Sequence, residues 1–82
     1  MTHEERNEPV ERFGTVITIT DLAVCLFDDM SEREIFFPRR YIKRWFFTDM
    51  GTDRGWPIGT LERGDDVTLV IPRWLAEREN LM

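Results

Sequence analysis

The sequence predicts an all-β, mainly antiparallel fold, and three observations carry this prediction. Several short runs are rich in β-branched and aromatic residues, and some alternate between apolar and polar positions, which is typical of half-buried strands. Polar segments with turn-forming residues separate these runs at close spacing, which indicates a meander. A chain of 82 residues also suits a single domain with a small core.

The first two predicted strands lie within residues 12–27. The first reads RFGTVITIT, and strand alternation gives it one face that is expected to contribute to the core. The residues of that face are Phe13, Thr15, Ile17 and Ile19. The second strand reads LAVCLF and is apolar on both faces, so its Cys25 is expected to be buried.

Two further strands and a helix complete the clear elements. EIFF, residues 34–37, ends at a proline, and DVTLVI, residues 66–71, ends at another. RWLAEREN then follows as a short helix, whose Trp74 and Leu75 are expected to close one end of the fold. Residues 45–60 are rich in glycine and aromatic side chains and are expected to form a long loop, with a fifth short strand near its end as an alternative.

These elements predict a small SH3-like barrel of four or five strands, with a long aromatic loop and a short C-terminal helix. An OB-like barrel is the alternative. The predicted domain comprises residues 11–82. Residues 1–10 are polar and acidic and are expected to form a flexible N-terminal arm.

Charge is unevenly distributed along the chain. The net charge is −5, and residues 35–48 carry four basic and no acidic side chains, so the other residues together carry −9. The single cysteine excludes an internal disulfide, and residues 1–12 lack the apolar core of a signal peptide. These features predict a cytoplasmic protein.

The segment EIFFPRRYIKRWFFT, residues 34–48, combines aromatic and basic side chains. Read as a helix, it places Tyr41, Ile42, Trp45 and Phe46 on one arc. The opposite arc carries Arg39, Arg40, Lys43 and Arg44. This separation favours a short amphipathic turn that packs on the barrel with its cations in water. The alternative is a site for nucleic acid or an acidic partner, in which aromatic rings and cations share an exposed surface, and either Phe36 or Phe37 must face outward.

The long loop supplies the candidate residues for binding a protein partner. Aromatic, methionine and arginine side chains are enriched at protein interfaces, and a chain this short cannot bury all of those in the loop. The candidate partner-binding residues are Phe46, Phe47, Met50, Arg54 and Trp56. The alternative is that the loop folds back as a lid over one mouth of the barrel.

The sequence contains no pattern that predicts a catalytic or metal site. The only histidine, His3, lies in the predicted arm, and Cys25 lies in an apolar strand without a neighbouring base. Two pairs of adjacent aspartates are expected to be solvated turn formers. They form the predicted acidic surface, which comprises Asp28, Asp29, Asp65 and Asp66. We therefore expect a protein that is not an enzyme and that uses neither a cofactor nor a metal.

The end of the chain resembles a set of small proteins encoded by phages and prophages of proteobacteria. The resemblance rests on GDDVTLVIPRWLAERENL, in which a strand precedes an isoleucine–proline step and a helical turn, IPRWLAERENL. GTVITITDLAVCLF and EIFFPRRYI are similar to the first hairpin and third strand of those proteins. The resemblance implies a small β-barrel in the cytoplasm of a bacterial host, without an established activity. Residues 45–59 depart from the pattern, being longer and more aromatic.

Three functions follow as hypotheses. The first is an inhibitor or adaptor whose acidic surface occupies the basic groove of a host nucleic-acid-binding defence complex, in the manner of an anti-CRISPR protein. The second is an accessory single-stranded nucleic-acid-binding barrel that uses residues 36–47. The third is a self-associating module, such as a homodimer, that pairs through an exposed strand edge. No membrane partner is expected.

Overall fold

The computed structural model describes residues 2–50 and 60–82 of the chain. Its elements are α1 (His3–Arg6), β1 (Pro9–Ile19), β2 (Ala23–Asp28), β3 (Arg33–Pro38), a 3-10 turn (Arg39–Tyr41), β4 (Arg44–Phe47), β5 (Asp66–Pro72) and α2 (Arg73–Arg78). The four clear strands of the sequence prediction correspond to β1, β2, β3 and β5. The predicted C-terminal helix corresponds to α2.

The five strands form one antiparallel sheet with the order β3-β2-β1-β5-β4. The long central strand β1 pairs with β5 through its first part and with β2 through its second, and both pairings include Gly14. A Cβ atom on Gly14 would lie 1.9 Å from the Phe27 carbonyl oxygen, so only glycine permits this approach of β2. A bulge at Ile17 follows and increases the local twist. The mainly antiparallel all-β fold with a short C-terminal helix is confirmed, and the SH3-like assignment stays a prediction.

The core lies between the inner face of the sheet and α2. It comprises Val16, Val24, Leu26, Ile35, Phe37, Trp45, Leu61, Val67, Leu69, Ile71, Leu75 and Ala76. Phe37 faces this core at 0% exposure, whereas Phe36 is 58% exposed, so Phe36 is the outward member of the pair. Cys25 is buried, as predicted. Its burial and the nearby charge of Glu34 raise the pKa of its thiol.

Before the bulge at Ile17, the face of β1 that points into the core is the opposite of the predicted one, whereas after the bulge Ile19 of the predicted face packs against the core. Arg12, Gly14 and Val16 are buried, whereas Phe13 is 38% exposed. The prediction that Phe13 contributes to the core is therefore wrong. The physical cause is the period of two in a strand, because a side chain that is fixed inside places both of its neighbours outside.

A buried ion pair between Arg12 and Asp28 fixes this orientation of β1. The Arg12 Nε atom donates to Asp28 Oδ1 at 2.8 Å, and Nη2 donates to Oδ2. The backbone N–H and the hydroxyl of Ser31 donate to Oδ2 at 2.9 and 2.7 Å, and Arg12 Nη1 donates to the Leu81 carbonyl oxygen at 3.5 Å. The pair thus connects β1, β2, the turn between β2 and β3, and the segment after α2.

Asp28 is an internal anion rather than part of an acidic surface. Burial alone would raise the pKa of its carboxyl group, but hydrogen bonds from Arg12 and Ser31, together with the Arg12 charge, outweigh burial and hold the pKa below its ordinary value. The prediction that placed Asp28 on the surface is wrong. Its partner lies 16 residues earlier in the chain, so the local turn sequence contains no sign of the pairing.

Residues 39–47 form a 3-10 turn followed by a strand, rather than one continuous helical arc. As the predicted amphipathic turn requires, Tyr41, Ile42 and Trp45 pack in or against the core, and Arg40, Lys43 and Arg44 are exposed. The Ile42 N–H donates to the Arg39 carbonyl oxygen at 3.2 Å, which is the short-range bond of a 3-10 turn. The Lys43 N–H then donates to the Val70 carbonyl oxygen at 2.8 Å. Pairing with β5 therefore replaces further helical bonds, and residues 45–47 of the predicted loop belong to β4.

The predicted N-terminal arm, residues 1–10, includes α1 and the first two residues of β1. The Arg73 N–H donates to the Glu8 carbonyl oxygen at 2.9 Å, and the Lys43 ammonium group donates to the Asn7 carbonyl oxygen. These bonds join the end of the predicted arm to the end of the β4–β5 pair at which β4 begins and β5 ends.

Replacing Asp28 by asparagine is expected to lower the free energy of unfolding by about 3 to 5 kcal/mol at neutral pH, because Arg12 then keeps a buried charge without its counter-ion. The pKa of Asp28 is lower in the folded state than its ordinary value. The ion pair therefore stabilises the protein above about pH 4, and this contribution is lost as the pH falls through the folded-state pKa.

Urea unfolding of the wild type and Asp28→Asn at a series of pH values measures this effect. The difference in unfolding free energy should shrink in acid. The matched control, Asp29→Asn, changes an exposed neighbour and should stay within about 0.5 kcal/mol of the wild type. If the difference in unfolding free energy between the wild type and Asp28→Asn were the same in neutral and strongly acidic buffer, the stabilising role of the ion pair would be contradicted.

Candidate functional site

The outer face of β1, β5 and β4 carries two phenylalanine side chains on either side of a buried threonine. Phe13 of β1 and Phe46 of β4 both lie opposite Thr68 of β5. Thr68 is 4% exposed, and its hydroxyl shares a hydrogen bond of 3.1 Å with the Thr48 hydroxyl. The polar group between the two rings is therefore satisfied, and the rings themselves are the apolar feature of this outer face.

Three carboxylates lie around Phe13, near the turns that follow β2 and β4. A shallow depression of about 400 Å³ is lined by Phe13, Gly14, Asp29, Thr48, Asp49 and Asp66. The Asp29 N–H donates to the Phe13 carbonyl oxygen at 3.1 Å, which brings that aspartate beside the ring. Asp66 accepts a hydrogen bond from the Thr15 hydroxyl at 3.0 Å. No cation lines this depression within the described ranges.

We call this region the acidic–aromatic surface and define it by Phe13, Phe46, Met50, Asp29, Asp49 and Asp66. Met50 follows Asp49 in the turn after β4, where its N–H donates to the Phe47 carbonyl oxygen at 3.0 Å. Its side chain is 46% exposed. Exposed apolar groups among carboxylates suit contact with a surface that is both apolar and basic.

The predicted partner-binding residues do not share one environment. Phe46 and Met50 belong to the acidic–aromatic surface. Phe47 instead packs against the core, and its ring makes an edge contact with Trp45 at 5.2 Å between centroids. The other two, Arg54 and Trp56, lie outside the described residues. The choice between a lid and an interface for residues 51–59 lies outside them as well.

The predicted acidic residues also separate. Asp29 and Asp66 are exposed and line the depression. Asp65 acts as a turn former, because its carboxylate accepts a hydrogen bond from the Glu62 N–H at 2.8 Å. Asp49 also belongs to the surface and was not among the predicted acidic residues. Its only local signal is its place in a polar turn after an aromatic run.

A second surface combines cations with aromatic rings and is built by the 3-10 turn and α2. The Arg40 guanidinium lies 4.7 Å from the centre of the Tyr41 ring, and Tyr41 makes an edge contact with Trp74 at 4.8 Å. The Arg78 guanidinium lies 5.3 Å from the centre of the Trp74 ring. We call Arg40, Tyr41, Trp74 and Arg78 the basic–aromatic surface. Trp74 is thus only half-buried, whereas its neighbour Leu75 is buried as predicted.

The four cations of the basic segment have different roles. Arg39 donates to the Thr20 carbonyl oxygen at 3.2 Å, and Lys43 donates to Asn7, so both hold neighbouring segments. Arg40 and Arg44 are exposed, and neither forms an ion pair with any residue that the structure describes. These two remain available for a partner.

Phe36 shares a second shallow depression with Arg40. Its volume is about 390 Å³, and it is lined by Asp21, Leu22, Ala23, Phe36, Pro38 and Arg40. Leu22 is 81% exposed in the turn between β1 and β2. An exposed ring and an exposed cation therefore lie together here, which is the arrangement that the nucleic-acid alternative requires of an outward Phe36.

Within residues 2–50 and 60–82, no three histidine, cysteine, aspartate or glutamate side chains are arranged to hold a metal ion. No helix in these ranges is long and apolar enough to cross a membrane. Comparisons of the chain with protein-family models, with curated proteins and with solved structures yield no match. The resemblance to phage and prophage proteins therefore stays a prediction.

Phe13→Ala is expected to change the free energy of unfolding by less than about 1 kcal/mol, because the ring lies outside the core. Phe37→Ala is the matched comparison, since it removes a ring at 0% exposure and should cost about 3 to 5 kcal/mol. Urea unfolding of both variants under one condition measures the difference. Equal costs would show that Phe13 contributes to the core after all.

Proposed function

We propose that the protein is a non-enzymatic binding protein whose acidic–aromatic surface occupies a basic surface of a partner protein. The observation that carries this proposal is the depression in which Phe13, 38% exposed, is flanked by Asp29, Asp49 and Asp66. Exposed aromatic side chains supply affinity at protein interfaces. Carboxylates around them steer a basic partner and select against an acidic one.

The charge of this surface favours a protein partner over nucleic acid. Binding to a phosphate backbone depends on neutralisation by lysine and arginine. The depression around Phe13 has only carboxylates among the charged groups that the structure describes. Phosphates would be repelled there. The lysine and arginine side chains of a nucleic-acid-binding protein would be attracted instead.

The partner class that fits these properties is a protein with a basic nucleic-acid-binding groove. Residues outside 35–48 carry a charge of −9, so most of the molecule would be attracted to such a groove. Combined with the resemblance to phage and prophage proteins, this supports an inhibitor of a host defence complex, such as a CRISPR effector, in a bacterial cytoplasm. In that role the protein would compete with nucleic acid for the groove.

The triple variant Asp29→Asn/Asp49→Asn/Asp66→Asn is expected to bind the partner at least about tenfold more weakly, since it loses three complementary charges. Phe13→Ala should weaken binding by about 2 kcal/mol. The matched control is Glu4→Gln/Glu5→Gln/Glu62→Gln, which removes the same charge from exposed positions elsewhere and should bind nearly as the wild type does.

The measurement is capture from a nuclease-treated bacterial lysate, followed by titration of the captured protein with each variant. Duplex DNA should displace the captured protein in competition. Equal capture by the triple variant and its control would contradict the proposal. So would capture that disappears after nuclease treatment, because the contact would then depend on nucleic acid.

A second function is favoured by one observation, the depression that holds Phe36 and Arg40 together. A stacking ring beside an exposed cation is the arrangement that binds single-stranded nucleic acid. Asp21 in the same depression opposes it, and this function therefore ranks second.

This second function predicts that a fluorescent single-stranded oligonucleotide binds with an affinity that falls steeply with salt. Phe36→Ala/Arg40→Gln should then abolish binding. Phe27→Ala/Arg63→Gln is the matched control, because it removes the same two residue types from exposed positions elsewhere. Fluorescence polarisation measures each affinity, and the absence of wild-type binding at low salt eliminates this function.

A further inference from the structure

The acidic–aromatic and basic–aromatic surfaces lie at opposite ends of the β4–β5 pair. Asp66 begins β5, and α2 follows its last residue. Asp49 follows the end of β4, and Arg40 precedes its start. Seven residues of β5 span roughly 20 Å or more, and the two surfaces share no residue. Each surface is therefore accessible while the other is covered.

The two surfaces are also complementary in chemistry. One presents Phe13 among three carboxylates, and the other presents Arg40 and Arg78 against the rings of Tyr41 and Trp74. The carboxylate nearest to these cations is that of Glu79, 3.8 Å from Arg78. Arg40 forms no ion pair with the described residues. Asp21 lines a depression with Arg40 but forms no ion pair with it. A cation without an ion-pair partner, lying on an aromatic ring, thus matches an aromatic ring among carboxylates that form no ion pair with the described residues.

We propose that copies of this chain associate head to tail, with the acidic–aromatic surface of one copy on the basic–aromatic surface of the next. This inference rests on the proposed function, because it names a second copy as one basic partner of the acidic–aromatic surface. The contact is heterologous, and it therefore generates short open chains or a ring rather than a two-fold dimer.

Charged side chains on an edge strand oppose the alternative of pairing between strand edges. The sheet ends in β3 and β4, and β3 begins with Arg33 and Glu34 and ends with Pro38. Charged side chains and proline on a short edge strand discourage edge-to-edge pairing. Pairing through the edge of β3, one form of the third hypothesis from the sequence, is thus less favoured than the head-to-tail contact.

The proposal is tested by two charge-reversal variants that each disable one surface. Asp29→Lys/Asp49→Lys removes the acidic–aromatic surface, and Arg40→Glu/Arg78→Glu removes the basic–aromatic surface. Sedimentation equilibrium should show wild-type association at about 0.02 M salt that weakens at least tenfold at about 0.5 M salt. Each variant alone should be monomeric, with circular dichroism like that of the wild type.

An equimolar mixture of the two variants is the decisive sample. Each variant keeps the surface that the other lacks, so the mixture should form a one-to-one dimer that does not grow further. A monomeric wild type at low salt overturns the proposal, as does a mixture that stays monomeric. A variant that still forms two-fold dimers alone overturns it too.

These outcomes are separable from the fate of the proposed function. The Arg40→Glu/Arg78→Glu variant keeps the acidic–aromatic surface and should still capture the basic partner protein. Capture without self-association rejects the head-to-tail contact and leaves the proposed function standing. Self-association without capture supports the head-to-tail contact and rejects the proposed basic partner protein.

Discussion

The buried ion pair between Arg12 and Asp28 determines which side chains of β1 face the core. Removing two charges from water is costly, and this cost is tolerated only where both ions are paired and hydrogen-bonded. Here the Arg12 guanidinium makes two bonds to Asp28, and Ser31 supplies two more to the same carboxylate. Because alternate residues of a strand share a face, this one pair also places Gly14 and Val16 inside.

The candidate binding surface is a consequence of the same constraint. With Arg12 inside, Phe13 must point outward, where the turns after β2 and β4 bring Asp29 and Asp49 beside it. An aromatic ring that ordinary alternation would have buried thus lies among solvated carboxylates. Arg12 of the ion pair and Phe13 of the acidic–aromatic surface are adjacent residues on opposite faces of β1. Stability and binding are therefore linked through this strand.

Most of the fold could be predicted from local sequence, because β2, β3, β5 and α2 each carry their own alternation, apolar run or proline boundary. The predictions that were wrong concern residues whose positions depend on contacts with distant parts of the sequence. Phe13 is more apolar than Arg12, and only Asp28, 16 residues away, reverses their positions. Residues 44–47 fit a helix by local spacing and become a strand because β5 pairs with them. For the candidate site, Asp29, Asp66, Phe46 and Met50 were predicted, whereas Phe13 and Asp49 required the sheet register.

Native-state thiol labelling of a Phe13→Cys variant measures whether the side chain at position 13 faces outward. The wild-type Cys25 is 2% exposed and serves as an internal buried reference, since burial and a raised thiol pKa both slow its reaction. The account predicts that one thiol per molecule, at position 13, reacts rapidly without denaturant and that Cys25 reacts only after unfolding. A variant that folds normally but shows no rapid reaction at position 13 would contradict the outward orientation of this side chain, and with it the surface proposed to bind.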